Sequence, residues 1–176
     1  MISHSAIRPM NSRQSTLIEL LRGKGAHADP IACVSDLSFA SATTCPPAHS
    51  LSIWEIVWHL NFWMNHEIRA IQGEPLAYPE HASLSWPSAQ ASPSEELWRE
   101  SVARFKDSLA RLIELAGSAP ADLERALPPD KPGNPPSSVE SRLWQTVAHN
   151  SYHIGQIVLL RRTMGLWPPP EGGDTW

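Results

Sequence analysis

His149 and His153 stand four residues apart, a spacing that puts two imidazoles on one face of a helix about one turn from each other. Such a pair can chelate one ion. Two histidines at this spacing also fall by chance on solvated helices, so the setting decides. The stripe through His149 and His153 runs on to Gln156 and Leu160, and the next stripe carries Leu143, Ile154 and Ile157. Histidines bordering an apolar face need partners, because burying an unpaired polar ring costs about 1–3 kcal/mol.

A third imidazole comes from His59, inside the tryptophan-rich run Trp54-Glu55-Ile56-Val57-Trp58-His59-Leu60. Alone, His59 reads as a core-edge histidine bonded to a backbone carbonyl; the downstream pair turns it into a ligand. Two facing helices then present three neutral imidazoles to one point, a donor set that suits zinc or nickel with positions left open for water. Such an ion lowers the pKa of a bound water toward neutrality. Trp63, one turn past His59, is expected as a pocket wall. His66, seven residues past His59, is either a fourth ligand, a partner that orients one, or a solvated helix contact; Gln156 is a second candidate for the pocket or for a ligand's partner. His4, His27, His49 and His81 fall in loops or end segments and are not assigned to the ion. Glu55 and Glu67 are read as lying on other faces than His59, and the remaining acids as solvated, so no general base is assigned.

The elements that must position these residues are set off by the 17 prolines, whose rings remove an amide donor and clash with the preceding turn. Clusters at 46–47, 75–93, 128–136 and 168–170 leave four stretches of helical period, at about 12–23, 50–72, 94–117 and 137–164. Ser50 and Ser94 are expected as N-caps, and Gly23, Gly73 and Gly117 as terminators. Ile53, Ile56, Val57, Leu60, Met64, Ile68 and Ile71 form one core stripe; Leu97, Val102, Phe105, Leu109, Leu112 and Ile113 form another. The pattern predicts an all-α, four-helix bundle over 12–165, with a flexible leader at 1–11 and a Pro/Gly-rich tail at 166–176. Its connections exceed the two to eight residues usual between adjacent bundle helices, which calls for long crossovers, and the 72–93 and 128–136 loops are candidates to roof a site. The tryptophans at 54, 58, 98 and 144 are expected in the core.

Composition narrows the partners. A net charge of -4 provides no cationic field for phosphate backbones or anionic lipid, which argues against nucleic acid. No apolar run reaches the roughly 18–20 residues of a membrane span, and the first eleven residues lack a signal-peptide core, so no membrane association and a cytoplasmic address are expected. Cys33 and Cys45 lie in loop-like sequence outside any Cys-x-x-Cys pair and are read as reduced thiols. Only 18% of residues are charged, and together with eight tryptophans this predicts a homodimer.

The run His149-Asn150-Ser151-Tyr152-His153-Ile154-Gly155-Gln156-Ile157-Val158-Leu159-Leu160-Arg161-Arg162 resembles the DinB-like superfamily of metalloenzymes. Gly25-Ala26-His27-Ala28-Asp29 and the stretch from His49-Ser50 through Ile53-Trp54 to His59-Leu60 match as well, so the resemblance covers about 14–167. It implies a bundle whose second helix gives one histidine and whose fourth gives a His-x-x-x-His pair to zinc, nickel or a similar ion; the matching positions are His59, His149 and His153. Relatives in that superfamily include S-transferases and isomerases that use low-molecular-weight thiols. The 128–136 loop departs from the shorter polar turn expected before the last helix, which bears on the entrance to the site.

Two functions compete at this point. One is an enzyme, a hydrolase or a thiol S-transferase, in which the ion activates water or a thiolate toward a small-molecule substrate. The other is a non-catalytic metal or small-ligand binding module of a stress response, whose ion only braces the bundle. A fourth ligand from His66 favours the second, an open site facing a cavity the first.

Overall fold

The computed structural model of the chain describes residues 12–74, 76–88, 91–129 and 133–173. The expected leader, 1–11, and the end of the expected tail, 174–176, lie outside the described residues. Four long helices build the bundle: α1 (Ser12–Leu21), α4 (Ile53–Ile71), α5 (Glu95–Ala116) and α7 (Val139–Thr163). Three short ones, α2 (Ala32–Ser35), α3 (Phe39–Thr43) and α6 (Pro120–Leu123), ride on the connections.

Each long helix starts where a side chain can satisfy its free amides. Ser52, rather than the expected Ser50, caps α4, because Glu55 three residues on closes a capping box: the Ser52 amide donates to Glu55 Oε2 at 2.7 Å and the Glu55 amide to Ser52 Oγ at 3.3 Å. Ser94 accepts from the Leu97 amide, with Glu95 and Glu96 in the first turn of α5 favoured by the helix dipole. Ser138 and Ser141 cap α7 reciprocally.

α1 packs on α5 and α7, and α4 packs on the same two, so α1 and α4 stand across the bundle from each other. The chain from α1 to α4 therefore crosses the bundle, which is why it is long and carries α2 and α3. Ile53, Ile56, Val57, Leu60, Met64 and Ile71 of the predicted α4 stripe are buried; on α5 the buried face is Trp98, Ser101, Phe105, Leu109, Leu112 and Ala116, with Leu97, Val102 and Ile113 at its margin. Trp54 and Trp98 are in the core, but Trp144 is 38% exposed and does not join them. Cys33 is buried in α2, where desolvation pushes its thiol up to about 12, and Cys45 is exposed. Strands of two residues each, β1 (Ala126–Leu127) and β2 (Ser137–Ser138), pair antiparallel at the base of the 128–136 loop. They are too short to leave an alternating pattern in the sequence. No described helix is long and apolar enough to cross a membrane.

Arg161, 1% exposed, fastens the crossover to the end of α7. Its guanidinium meets Asp36 in a two-pronged pair at 2.7 and 2.8 Å and donates to the carbonyls of Cys33 and Leu166 at 2.8 and 3.0 Å. Segment 166–173 also folds back, its Gly173 carbonyl accepting from the Asp29 amide at 3.1 Å. Removing one member of a buried pair strands the other charge, at a typical cost of about 3–5 kcal/mol. Asp36→Ala is expected to lose stability at the low end of that range, since Asp36 is partly exposed; an unchanged urea midpoint would show that the pair is dispensable.

Candidate metal centre

α4 brings His59, and α7 brings His149 and His153, to one point of the groove between them. As α4 runs from His59 to Glu67, α7 runs back from His149 to Arg142, so the two helices are antiparallel. The ring centroids of the three histidines are 4.6–5.1 Å apart. One ring nitrogen from each lies within 4.8 Å of the others, and His59 Nε2 is 3.2 Å from His149 Nε2. Among the described residues this is the one such cluster of His, Cys, Asp or Glu side chains.

The other edge of two rings is held by a neighbour. Ser85 Oγ donates its single proton to the Ala82 carbonyl at 2.7 Å, so at 3.0 Å it accepts from His59 Nδ1–H. Gln156 Oε1, which can only accept, takes His153 Nδ1–H at 2.6 Å, while Gln156 Nε2 donates to Tyr152 Oη at 3.3 Å. Both bonds leave a bare lone pair on Nε2, the tautomer a metal requires. Trp86 stacks on His59 with centroids 3.9 Å apart and planes 11° from parallel, closing one face of that ring.

Burial sets the charge state. Desolvation, with the two neighbouring imidazoles adding to it, lowers His59 to about 4; desolvation and His153 lower His149 to about 4, and desolvation lowers His153 in the same direction. All three are neutral at pH 7. His59 Nε2, bare because Nδ1 carries the proton, stands 3.2 Å from His149 Nε2, which either donates to it as Nε2–H or, in its other tautomer, joins it in facing an ion. Nitrogens that share one tetrahedral ion at 2.0–2.1 Å stand roughly 3.3 Å apart, so the His59–His149 spacing fits a shared divalent ion, and His153 completes the donor set within 4.8 Å.

A cavity of about 300 Å³ runs along the groove from His59 and His149 past Trp63, Met64, Gln145 and Thr146 to Glu67 and Tyr78. Trp63 lines this cavity. His66 is not in the cluster: it is 8% exposed, packed behind the cavity on Trp63 and Tyr78, with Nδ1 3.4 Å from Glu67 Oε1. Glu67 corrects the reading of the acids as solvated or turned away, for it is 5% exposed and faces the cavity. Arg142 offsets its charge at 3.4 Å and donates to Tyr78 Oη at 2.9 Å, and Tyr78 stands 3.5 Å from Glu67 Oε1. Ser85, Trp86, Tyr78 and Arg142 were not singled out from sequence. The first three arrive on the 72–93 loop, so that loop does cover the site; the 128–136 loop supplies no described side chain to the cavity wall.

A family model described as the DinB superfamily matches residues 26–157, a span that holds all three histidines. No curated protein matches the chain.

Groups that hold a ligand's ring typically contribute 10–100-fold to metal affinity. Ser85→Ala and Gln156→Leu are each expected to weaken zinc binding by about that factor in a chelator competition, with circular dichroism unchanged; affinity equal to the parent's would remove these two residues from the site. The ion-free protein has a second signature. Its unfolded histidines take up protons near 6.5, whereas the folded ones do so only at lower pH, so the unfolded state binds more protons in between. Stability is therefore complete above about 6.5 and falls as pH drops toward 4. Urea midpoints of ion-free protein that stay level across that window would contradict the burial of neutral rings.

Proposed function

Because the chain belongs to the DinB superfamily, we propose that it is a metal-dependent enzyme that holds one divalent ion, zinc or nickel, on His59, His149 and His153 and acts on a small molecule in the adjoining cavity. The observation that carries this reading is the cavity itself, which opens on His59 and His149 instead of being filled by a fourth side chain. A purely bracing ion calls for closure by His66, and His66 packs behind Trp63.

A bound divalent ion supplies Lewis acidity that stabilises an anionic nucleophile near neutral pH, which suits either hydrolysis or transfer of a low-molecular-weight thiol to an electrophile. The side chains do the rest. Ser85 and Gln156 aim the imidazoles, Trp86 keeps water off one face of His59, and Trp63 and Met64 supply an apolar wall. At the other end Tyr78 Oη, which accepts from Arg142, donates to Glu67 Oε1 at 3.5 Å, so the group a ligand meets there is the Glu67 carboxylate, an acceptor. The two ends suit an elongated small substrate with its reacting group at the histidines and a polar group at Glu67.

Elemental analysis is expected to return about one divalent ion per chain, and almost none in a His149→Ala, His153→Ala double variant; equal metal in both would sink the site. His59→Ala should lose tight binding while keeping its helicity, since the α4 stripe packs without it. Ion-loaded protein is then assayed with low-molecular-weight thiols plus an alkylating or aryl-halide electrophile, and with activated esters. Turnover in either panel that vanishes in the double variant is the expected result. Metal bound at one per chain without turnover in either would overturn the enzymatic reading.

A further inference from the structure

The water-facing side of α5 is densely charged, with Glu96, Arg99, Glu100, Arg104, Asp107 and Arg111 all exposed. That of α7 is not. Arg162, near its end, is the one charged residue among the exposed positions of α7, whose middle presents Trp144, Ala148, Tyr152, Gly155 and Leu159. These recur every three or four residues, so they form a single stripe about 22 Å long. Trp144, Tyr152 and Leu159 are 38%, 64% and 55% exposed, and they are three of the five large apolar side chains exposed among the described residues. A long apolar stripe without charge marks a contact surface. The other side of α7 is already committed to α4 and α1, with Leu143, Ile154 and Ile157 fully buried.

We propose that this stripe is the interface of a homodimer in which two copies of α7 pack antiparallel across a twofold axis between Ser151 and Tyr152. The order of residue sizes points to a second copy, because it is self-complementary about that axis. Trp144 falls opposite Leu159, and Ala148 opposite Gly155. Large residues meet at the two ends, Tyr152 falls opposite Ser151 beside the axis, and the small pair lies between and leaves room for it; a side chain added at Gly155 meets nothing within 4 Å in the single chain. Charge agrees with the direction. The antiparallel arrangement brings Arg162 of one copy beside the Glu140 end of the other, where Glu140 already contacts Arg13 at 3.5 Å, whereas a parallel one sets Arg162 against Arg162. Opposed helix dipoles favour the same choice. The interface is continuous with the histidine cluster, since it covers Tyr152, whose hydroxyl meets the Gln156 amide that holds His153.

The test uses the full chain. Light scattering and sedimentation are expected to give about twice the 19.5 kDa chain mass at micromolar concentration. Gly155→Glu puts a charge at the centre of the stripe in open space and should give a folded protein of single-chain mass; if it loses helicity, Leu159→Glu, at another exposed position, replaces it. Direction is read with cysteines in a Cys45→Ser background, Cys33 being buried. The Ala148→Cys, Gly155→Cys double variant should oxidise to a covalent dimer, and neither single variant should. A parent of single-chain mass, a glutamate variant that keeps the doubled mass, or single cysteines that cross-link as well as the pair would each overturn the proposal.

Discussion

The site depends on one constraint, the rotational and axial register of α4 against α7. Three polar contacts cross that groove at successive levels: His59 with His149 and His153, Asn150 with the Met64 sulfur at 3.5 Å, and Glu67 with Arg142 at 3.4 Å. A helix residue turns 100°, so a slip of one position on either helix would break all three contacts together. The register is held by the apolar core between these contacts, where Leu60, Met64, Leu143, Ile154 and Ile157 are fully buried. Tight packing makes such a core resist partial rotation. Stability and site geometry therefore rest on the same interface.

The polar groups in the groove carry a desolvation cost that the packing must outweigh. Each buried donor or acceptor left unpaired costs about 1–3 kcal/mol, and a buried unpaired charge more. The fold answers by pairing: Glu67 with Arg142 and Tyr78, Arg142 with Ser137 at 2.9 Å, His153 with Gln156, His59 with Ser85. What lacks a hydrogen bond are the ring nitrogens of His66 and Asn150 Oδ1, whereas at the cluster His59 Nε2 meets His149 Nε2 at 3.2 Å. In the cluster, ring nitrogens from two helices converge on one point, the arrangement a cation site uses.

The bundle was legible because its signals are local. Proline breaks, serine caps and apolar stripes each act within a few residues, and the helices they imply end within three residues of those observed. His149 and His153 were legible for the same reason, as helix arithmetic suffices to put them together. Glu67 and His66 show where that arithmetic misleads. At 100° per residue, His66 lies about 20° from His59 around the axis and Glu67 about 80° away, so the sequence favours His66. Helices pack along inclined ridges of residues four apart, and the α4–α7 groove follows the ridge of His59, Trp63 and Glu67, which drifts about 40° per step. The face that counts was a slanted row, not a vertical one. Arg142 and Arg161 were hidden by the general expectation that arginine is solvated, which only a long-range partner reverses.

Ser85 and Trp86 were out of reach for a deeper reason, since a loop has no period that aims its side chains. Their position follows from the loop's own bonds. Ser85, wholly buried, is fixed by the Ala82 carbonyl within a short 3-10 turn, Ala82–Ser85, and that turn delivers Trp86 flat onto His59. The indole covers one face of the ring, and Ser85 takes the Nδ1 edge. His59 is then left with its Nε2 edge, directed at the other two histidines beside the mouth of the cavity. The cavity gives a ligand a route to the cluster along the groove lined by Trp63 and Met64 and ended by Glu67 and Tyr78. The loop thus turns a chelating trio, which helix spacing alone can make, into a site with a direction of approach.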